Sequence, residues 1–343
     1  MMMSFSVRII GLFLIYVCSL STAPAIASVK DCRVDFLEGK ATAELFTSEK
    51  SEAYFSLLEP LDIAAKTGGR VDISDINDAR NKTRQIYASS VLPFSEDEKK
   101  FLENAVGNVC RVLEGRFQGI VHRAWRLIKT EPYIEGGLPH TREDGIVFSS
   151  DMIHRMMNSP PAFTEMLLAH EILHVVQRQN RRLFAQFYTE AWGYRKVNAI
   201  KAVPDILVSN QVMNPDGVDY NWIIPGSTGE VWWWPRVLLK PEDDEAVSMP
   251  SDFHFVSVKI KEKNGSFYVV DGQNSFVDFQ PLKKNHLLAA KFPGIKRPYH
   301  PDEVASKYFD KYYLALRFGK QDEIDMNSNQ ALSKLVQMLG SRF

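Results

Sequence analysis

The stretch LLAHEILHVVQRQN, Leu167 to Asn180, decides how this chain is to be read. It places His170 and His174 four residues apart, with Glu171 directly after the first. The apolar residues around them recur at helical spacing. Phe163, Met166 and Leu167 share a stripe with the two histidines, and Leu168, Ile172, Val175 and Val176 make the opposite surface. A helix apolar nearly all round is a buried helix, and burying two imidazoles and a carboxylate without partners costs on the order of several kcal/mol. A bound metal ion removes that cost. Side chains four apart project from one helix face, so both imidazoles can reach one zinc ion. Glu171 is rotated about one residue onward, where it can reach a water on the ion without being forced to ligate it. Zinc lowers the pKa of such a water towards about 7, and a neighbouring carboxylate can take its proton and pass it to a leaving amine. The spacing therefore predicts His170 and His174 as metal ligands, one catalytic zinc ion, and Glu171 as the general base.

Outward from this helix the pattern is mixed. Upstream, VHRAWRLIKT (121–130) and GIVFSS (145–150) read as strands separated by a Gly/Pro-rich turn, and Ser159 ahead of Pro160-Pro161 reads as a helix start. Earlier still, Ser95 heads an acidic first turn, with Phe101, Leu102, Ala105, Val109 and Val112 at helical spacing and Gly115 as the stop. Residues 28–92 read as a mostly helical, moderately polar region with a break at Gly68-Gly69. Downstream, an alternating run turns at Asn264-Gly265, a strong hairpin signal, and further helices are expected after Pro301 and near the C-terminus. The order is that of an α+β fold, with residues 93–343 as the catalytic part beside a small sheet.

The first residues carry a separate message. Arg8, the apolar run from Ile9 to about Leu20 and an Ala-x-Ala pattern at Ala25 to Ala27 read as a signal peptide over residues 1–27. The chain is thus expected to be exported, periplasmic or secreted, with no membrane span once the signal is removed. A lipid anchor on Cys18 is disfavoured because Val17 precedes it. A net charge of −1 gives no reason to expect nucleic acid or an anionic membrane as partner. Two cysteines remain after residue 27, Cys32 and Cys110, in a compartment that permits a single bridge between them.

A catalytic zinc needs a third protein ligand and one open position. Glu190 lies on the next helical pattern and Glu303 opens a distant helix behind Pro301; spacing alone favours Glu190. AHEILHVVQRQ resembles the active-site helix of the zincin metallopeptidases. PFSEDEKKFLENAV, HRAWRLIKT, LPHTREDGIVFSS, YTEAWGYRKV, NPDGVDYNW and YHPDEVASKYF, in order from about residue 93 to 318, are similar to landmarks of an uncharacterised bacterial family of HExxH zinc metallopeptidases. The resemblance implies a zincin-like fold and a third ligand in HPDEVASKYF, which matches the glutamate helix of gluzincins. That ligand is Glu303, with Ser306 at the small position. Lys307 stands where gluzincins often carry an acidic residue supporting a histidine ligand.

The resemblance also implies that GIVFSS lines the cleft and pairs with extended peptide. His140, Tyr194, Tyr299 and His300 are candidates to stabilise an oxyanion, but aromatic residues at such positions are more often core, and none is assigned that role. VWWWPRV (231–237) reads as core packing, and NPDG (214–217) as a turn. The expectation is an exported zinc metallopeptidase acting on peptide or protein substrate. The alternatives are a zinc amidase acting on cell-wall bonds and a non-catalytic zincin-derived binding protein. Oligomeric state is not readable from the sequence.

Overall fold

Alternating side chains between Ala124 and Ser149 build the sheet on which the histidine helix lies. The computed structural model describes residues 32–240, 247–270, 278–326 and 329–343. The expected signal peptide, residues 1–27, lies outside the described residues. In chain order the first elements are β1 (Arg33–Leu37), α1 (Gly39–Phe46), α2 (Pro60–Thr67), α3 (Ile76–Ser89), β2 (Val91–Leu92), α4 (Glu96–Leu113) and α5 (Gln118–Val121). There follow β3 (Ala124–Thr130), β4 (His140–Arg142), β5 (Gly145–Ser149), α6 (Ser150–Met157), α7 (Pro161–Gln179) and α8 (Arg181–Glu190). A second set comprises β6 (Arg195–Lys196), β7 (Ile200–Lys201), α9 (Asp205–Ser209), β8 (Trp222–Pro225), β9 (Val231–Leu239), β10 (Phe253–Lys263), β11 (Ser266–Val269) and β12 (Phe279–Pro281). Helices α10 (His286–Lys291), α11 (Pro301–Arg317) and α12 (Gln330–Arg342) complete the chain. The fold is mixed α and β with two sheets, compatible with the α+β class.

The first sheet has the order β1-β3-β5-β4, with β2 also paired to β3. Its period of two separates two cores. Trp125, Leu127, Ile146 and Phe148 face a core shared with α4, α7 and α11. Ile128 and Val147 face the other way, against Phe46, Tyr54, Ile63 and Tyr87 of the N-terminal segment. The histidine helix and the N-terminal helices thus cover opposite faces of one sheet. Strand β1 pairs in parallel with β3, so the boundary read at residue 92 runs through this sheet, and the helical reading of 28–92 is corrected at Arg33–Leu37. RVDFL alternates Val34 and Phe36 with two charges, but at five residues the pattern is too short to stand out from its helical surroundings.

The second sheet has the order β6-β8-β9-β10-β11-β7, with β12 on β10, so the sheet content exceeds the small one expected. Its hairpin turns at Asn264 and Gly265, with φ of 50° and 72°, and pairs Lys263 with Ser266. Positive φ at both central residues is what a two-residue turn between right-twisted strands requires. VWWWPRV lies in β9, where Trp234 packs in this sheet's own core.

Helix α4 starts as read, with a reciprocal cap: Ser95 Oγ accepts from the Glu98 N–H at 3.2 Å and Glu98 Oε2 accepts from the Ser95 N–H at 2.7 Å. Helix α7 starts at Pro161, but Ser159 is not its cap. Its hydroxyl donates back to the Arg155 carbonyl at 2.7 Å, closing the end of α6, a helix the sequence reading did not separate. Cys32 and Cys110 form a disulfide that fastens the start of β1 to α4. No described helix is long and apolar enough to cross a membrane.

Candidate metal centre

Helix α7 packs along α11, and the contact brings together residues more than a hundred positions apart. His170 and His174 project one turn apart on α7, their Nε2 atoms 3.1 Å from each other. Glu303, in the first turn of α11, presents Oε2 at 3.8 Å from His170 Nε2 and Oε1 at 3.8 Å from His174 Nε2. Pro301 at the first helical position and His300, whose Nδ1 accepts from the Asp302 N–H, fix the start of α11 and so the place of Glu303. Tetrahedral zinc with bonds of about 2.0–2.1 Å leaves ligand atoms roughly 3.3 Å apart, within the observed range. The three form a cluster able to hold a metal ion, and the third member is Glu303. Glu190 is exposed at the end of α8, where it accepts from Gln186 Nε2.

The neighbours turn both rings the right way. Asp310 sets both carboxylate oxygens 3.1 Å from His170 Nδ1. Gln177 offers Oε1 to His174 Nδ1 at 2.8 Å, while its amide nitrogen donates to Tyr188 Oη and to the Asp302 carbonyl, which fixes which end of the amide faces the ring. Each Nδ1 therefore carries a proton, and each Nε2 faces the shared point, where a cation would take the place of a second proton, the arrangement that orients histidine ligands. Asn214 Nδ2 donates to Glu303 Oε1 at 2.8 Å.

Lys307, which departs from the gluzincin pattern, leaves the histidine supported all the same. Asp310 supplies the carboxylate two turns beyond Glu303, and Lys307 Nζ lies 3.4 Å from Asp310 Oδ2.

The electrostatics of the four groups differ with their neighbours. Glu171 is buried, and its Oε2 has no hydrogen-bond partner. Burial, and then the nearby Asp216 charge, pushes its carboxyl well above the usual range. Burial would also raise Glu303, but the charges of His174, His170 and Lys307 and the Asn214 amide outweigh it and hold that carboxyl below the usual range. Burial would lower His170, yet the Asp310 carboxylate raises it to about 9. His174, without a carboxylate of its own, is lowered by burial. An unpaired buried carboxylate, two converging imidazole Nε2 atoms and a second carboxylate form a donor set suited to a divalent, nitrogen- and oxygen-binding cation. The residues present fit zinc.

No family model, curated protein or solved structure matches this chain. The reading of the site rests on its own geometry.

The centre opens into a cleft of about 340 Å³. One wall is apolar, formed by Val212, Val237, Met249, Phe253 and Phe255; the other carries Glu171, His140 and Asp216. His140 Nδ1 faces the Leu138 carbonyl at 3.0 Å and burial lowers the ring's pKa, so the neutral ring keeps its proton on Nδ1 and its unpartnered Nε2 is an acceptor. Tyr299 lines the cleft, its hydroxyl held near Asn214 Nδ2. His300 is the helix cap already described, and Tyr194 is buried among aromatic rings. The turn NPDG does more than reverse the chain, because Asn214 holds Glu303 and Asp216 lines the cleft beside Glu171.

GIVFSS, as β5, has β3 on one side and β4 on the other, so it is not an edge. The outer strand beside the cleft is β4, hidden in the sequence within a Gly/Pro-rich turn.

Proposed function

We propose that this chain is a zinc-dependent metallopeptidase of zincin-like fold. His170, His174 and Glu303 hold the ion, Glu171 is the general base, and residues 93–343 carry the catalytic part. The observation that carries the reading is the convergence of His170 Nε2, His174 Nε2 and a Glu303 carboxylate at 3.1–3.8 Å beside a buried glutamate with an unpartnered oxygen. Bound there, zinc would supply the Lewis acidity that makes a water nucleophilic near neutral pH and polarises an amide carbonyl.

The chain's own residues supply the rest. Glu171 takes a proton from the attacking water and returns it to the leaving amine nitrogen, a task suited to a buried carboxyl with an unpartnered oxygen beside the cluster. Asp310 and Gln177 hold the imidazoles in register, and Asn214 holds Glu303. The apolar wall excludes water and grips an apolar side chain. The leader read at residues 1–27 supports a periplasmic or secreted location, with a peptide or protein as substrate.

Metal analysis followed by digestion of a peptide mixture tests this. One zinc per chain is expected, lost in His170→Ala, His174→Ala and Glu303→Ala and retained in Glu190→Ala. Chelator-sensitive cleavage should fall by about 10²–10⁴-fold in Glu171→Gln with zinc retained. Retained stoichiometric zinc in Glu303→Ala would sink the ligand assignment. Zinc with no peptide cleavage would move the reading to a non-peptide amide such as a cell-wall bond, and absence of bound metal would leave a binding protein.

A further inference from the structure

The backbone N–H and carbonyl by which Thr141 of β4 could pair with another strand are already occupied. In β4, Thr141 alone turns its N–H and carbonyl away from β5. The N–H donates to Asp216 Oδ1 at 2.6 Å, and the hydroxyl of the same residue donates to that oxygen at 2.8 Å. The Thr141 carbonyl accepts from Arg178 Nη2 at 3.4 Å, while Arg178 Nη1 donates to Thr141 Oγ1 at 2.6 Å and to the Glu143 carbonyl at 3.2 Å. On the other side of His140, the next outward position is Pro139, which has no N–H to offer.

An extended polypeptide docks to a sheet edge by exchanging N–H and carbonyl bonds with alternate residues, and here the central pair, at Thr141, is capped and Pro139 brings no donor.

The cap is fixed in place. Arg178 is one turn beyond His174 on α7, buried, with Nε on Glu52 Oε1 at 3.2 Å and Nη2 on the Pro215 carbonyl at 2.6 Å. The Asp216 N–H donates to Asn214 Oδ1 at 3.0 Å. The next residue, Gly217, lies so close to α11 that a Cβ there would be 2.9 Å from Asp302 Oδ2 and 3.2 Å from His300 Cε1. The loop bearing Asp216 is thus wedged between β4 and α11. The cleft behind it, about 340 Å³, is near the lower end of the roughly 300–1,000 Å³ typical of sites for single small ligands.

We propose that Asp216 and Arg178 make this cleft selective for short peptides of a few residues, held by the apolar wall and the metal centre, and exclude extended polypeptide segments that bind by strand addition. The inference rests on the peptidase reading above and goes beyond it by fixing the substrate class. Asp216 and Arg178 act on specificity through Thr141.

Calorimetric titration of N-acetylated apolar peptides of three, six and twelve residues into zinc-loaded Glu171→Gln protein tests it without turnover. With Asp216 intact, affinity should change by less than about twofold between three and twelve residues, since added residues find no free backbone partner. With Asp216→Ala added, the twelve-residue peptide should bind up to roughly tenfold more tightly than the three-residue one, the worth of one new backbone bond to the freed Thr141 N–H. Asp216→Asn, which keeps an acceptor for the Thr141 N–H, should behave as the parent. Hydrogen exchange at the Thr141 amide, slow in the parent and fast in Asp216→Ala within an otherwise protected sheet, shows that the variant is folded and uncapped. Tenfold tighter binding of the long peptide by the parent would overturn the proposal and leave the peptidase reading standing. Failure of every peptide to bind while zinc is retained would overturn both.

Discussion

Both carboxylate oxygens of Asp310 lie 3.1 Å from Nδ1 of His170, across the packed faces of α11 and α7. Such a carboxylate fixes the ring's tautomer and raises its basicity, and losing it typically weakens metal binding by about 10–100-fold. Asp310→Ala should therefore bind zinc 10–100-fold more weakly at unchanged stoichiometry, measured by competition with a chromophoric chelator. Lys307→Met, which removes the partner of Asp310 and no metal ligand, should leave one zinc per chain. An Asp310→Ala affinity equal to the parent's would mean that the carboxylate only packs the helices.

Lys66 of α2 is fully buried and donates to Glu135 Oε2 at 2.5 Å and to the Met213 carbonyl at 2.7 Å, with Asp62 3.6 Å away. Tyr54 and Tyr87 donate their hydroxyls to the same Glu135. Removing one partner of a buried pair strands the other's charge, at a cost of about 3–5 kcal/mol. Lys66→Met should lose stability in that range by urea denaturation. A loss under about 1 kcal/mol would show that the network rearranges or takes in water.

Asp62 sets a pH dependence. Burial raises its carboxyl from 3.8 to about 7, against the opposing pull of Lys66. The native chain then keeps a proton that the unfolded chain has given up, so this group's contribution to stability is fully present below pH 3.8 and is lost as the pH rises through about 7. Asp62→Asn, permanently uncharged, should flatten the stability profile between those limits, read as denaturation midpoints at a series of pH values. An unchanged slope would place the titration elsewhere.

The disulfide closes a loop with a sequence separation of 78 residues. Cross-links of that span typically contribute about 2–5 kcal/mol, chiefly by restricting the unfolded chain. Cys110→Ser should lower stability by that order and leave zinc content unchanged, because neither cysteine belongs to the ligand set.

The parts of the site legible in the sequence were those carried by one helix. His170, Glu171 and His174 share a local pattern, and Gln177, a further three residues along the same face, could have been found by the same arithmetic. Glu303 needed the likeness of its helix to a known one, since spacing pointed to Glu190. The structure explains the miss: Phe184, Phe187 and Tyr188 of α8 turn inward and leave Glu190 in water. Asp310, Asn214 and Asp216 were invisible because only the packing of α11 and the 214–217 turn against α7 and β4 gives them partners. In the fold, long helices and the Asn264-Gly265 hairpin declared themselves locally. Strands β1 and β4, five and three residues long, exist because β3 and β5 offer them an edge.

The pairing of β1 with β3 also bears on how the molecule could be matured. A cut between α3 and α4, with the Cys32–Cys110 bridge also opened so that everything before it is released, would not unveil the centre. It would strip β3 of a parallel neighbour, empty the core around Tyr54 and Tyr87, and take Lys66 out of the cleft wall. During synthesis Arg33 must likewise wait for its partner Ala124 to emerge before the strand has anywhere to go. The strand made first cannot seat until β3 has followed it, and once seated it is foundation and not scaffolding.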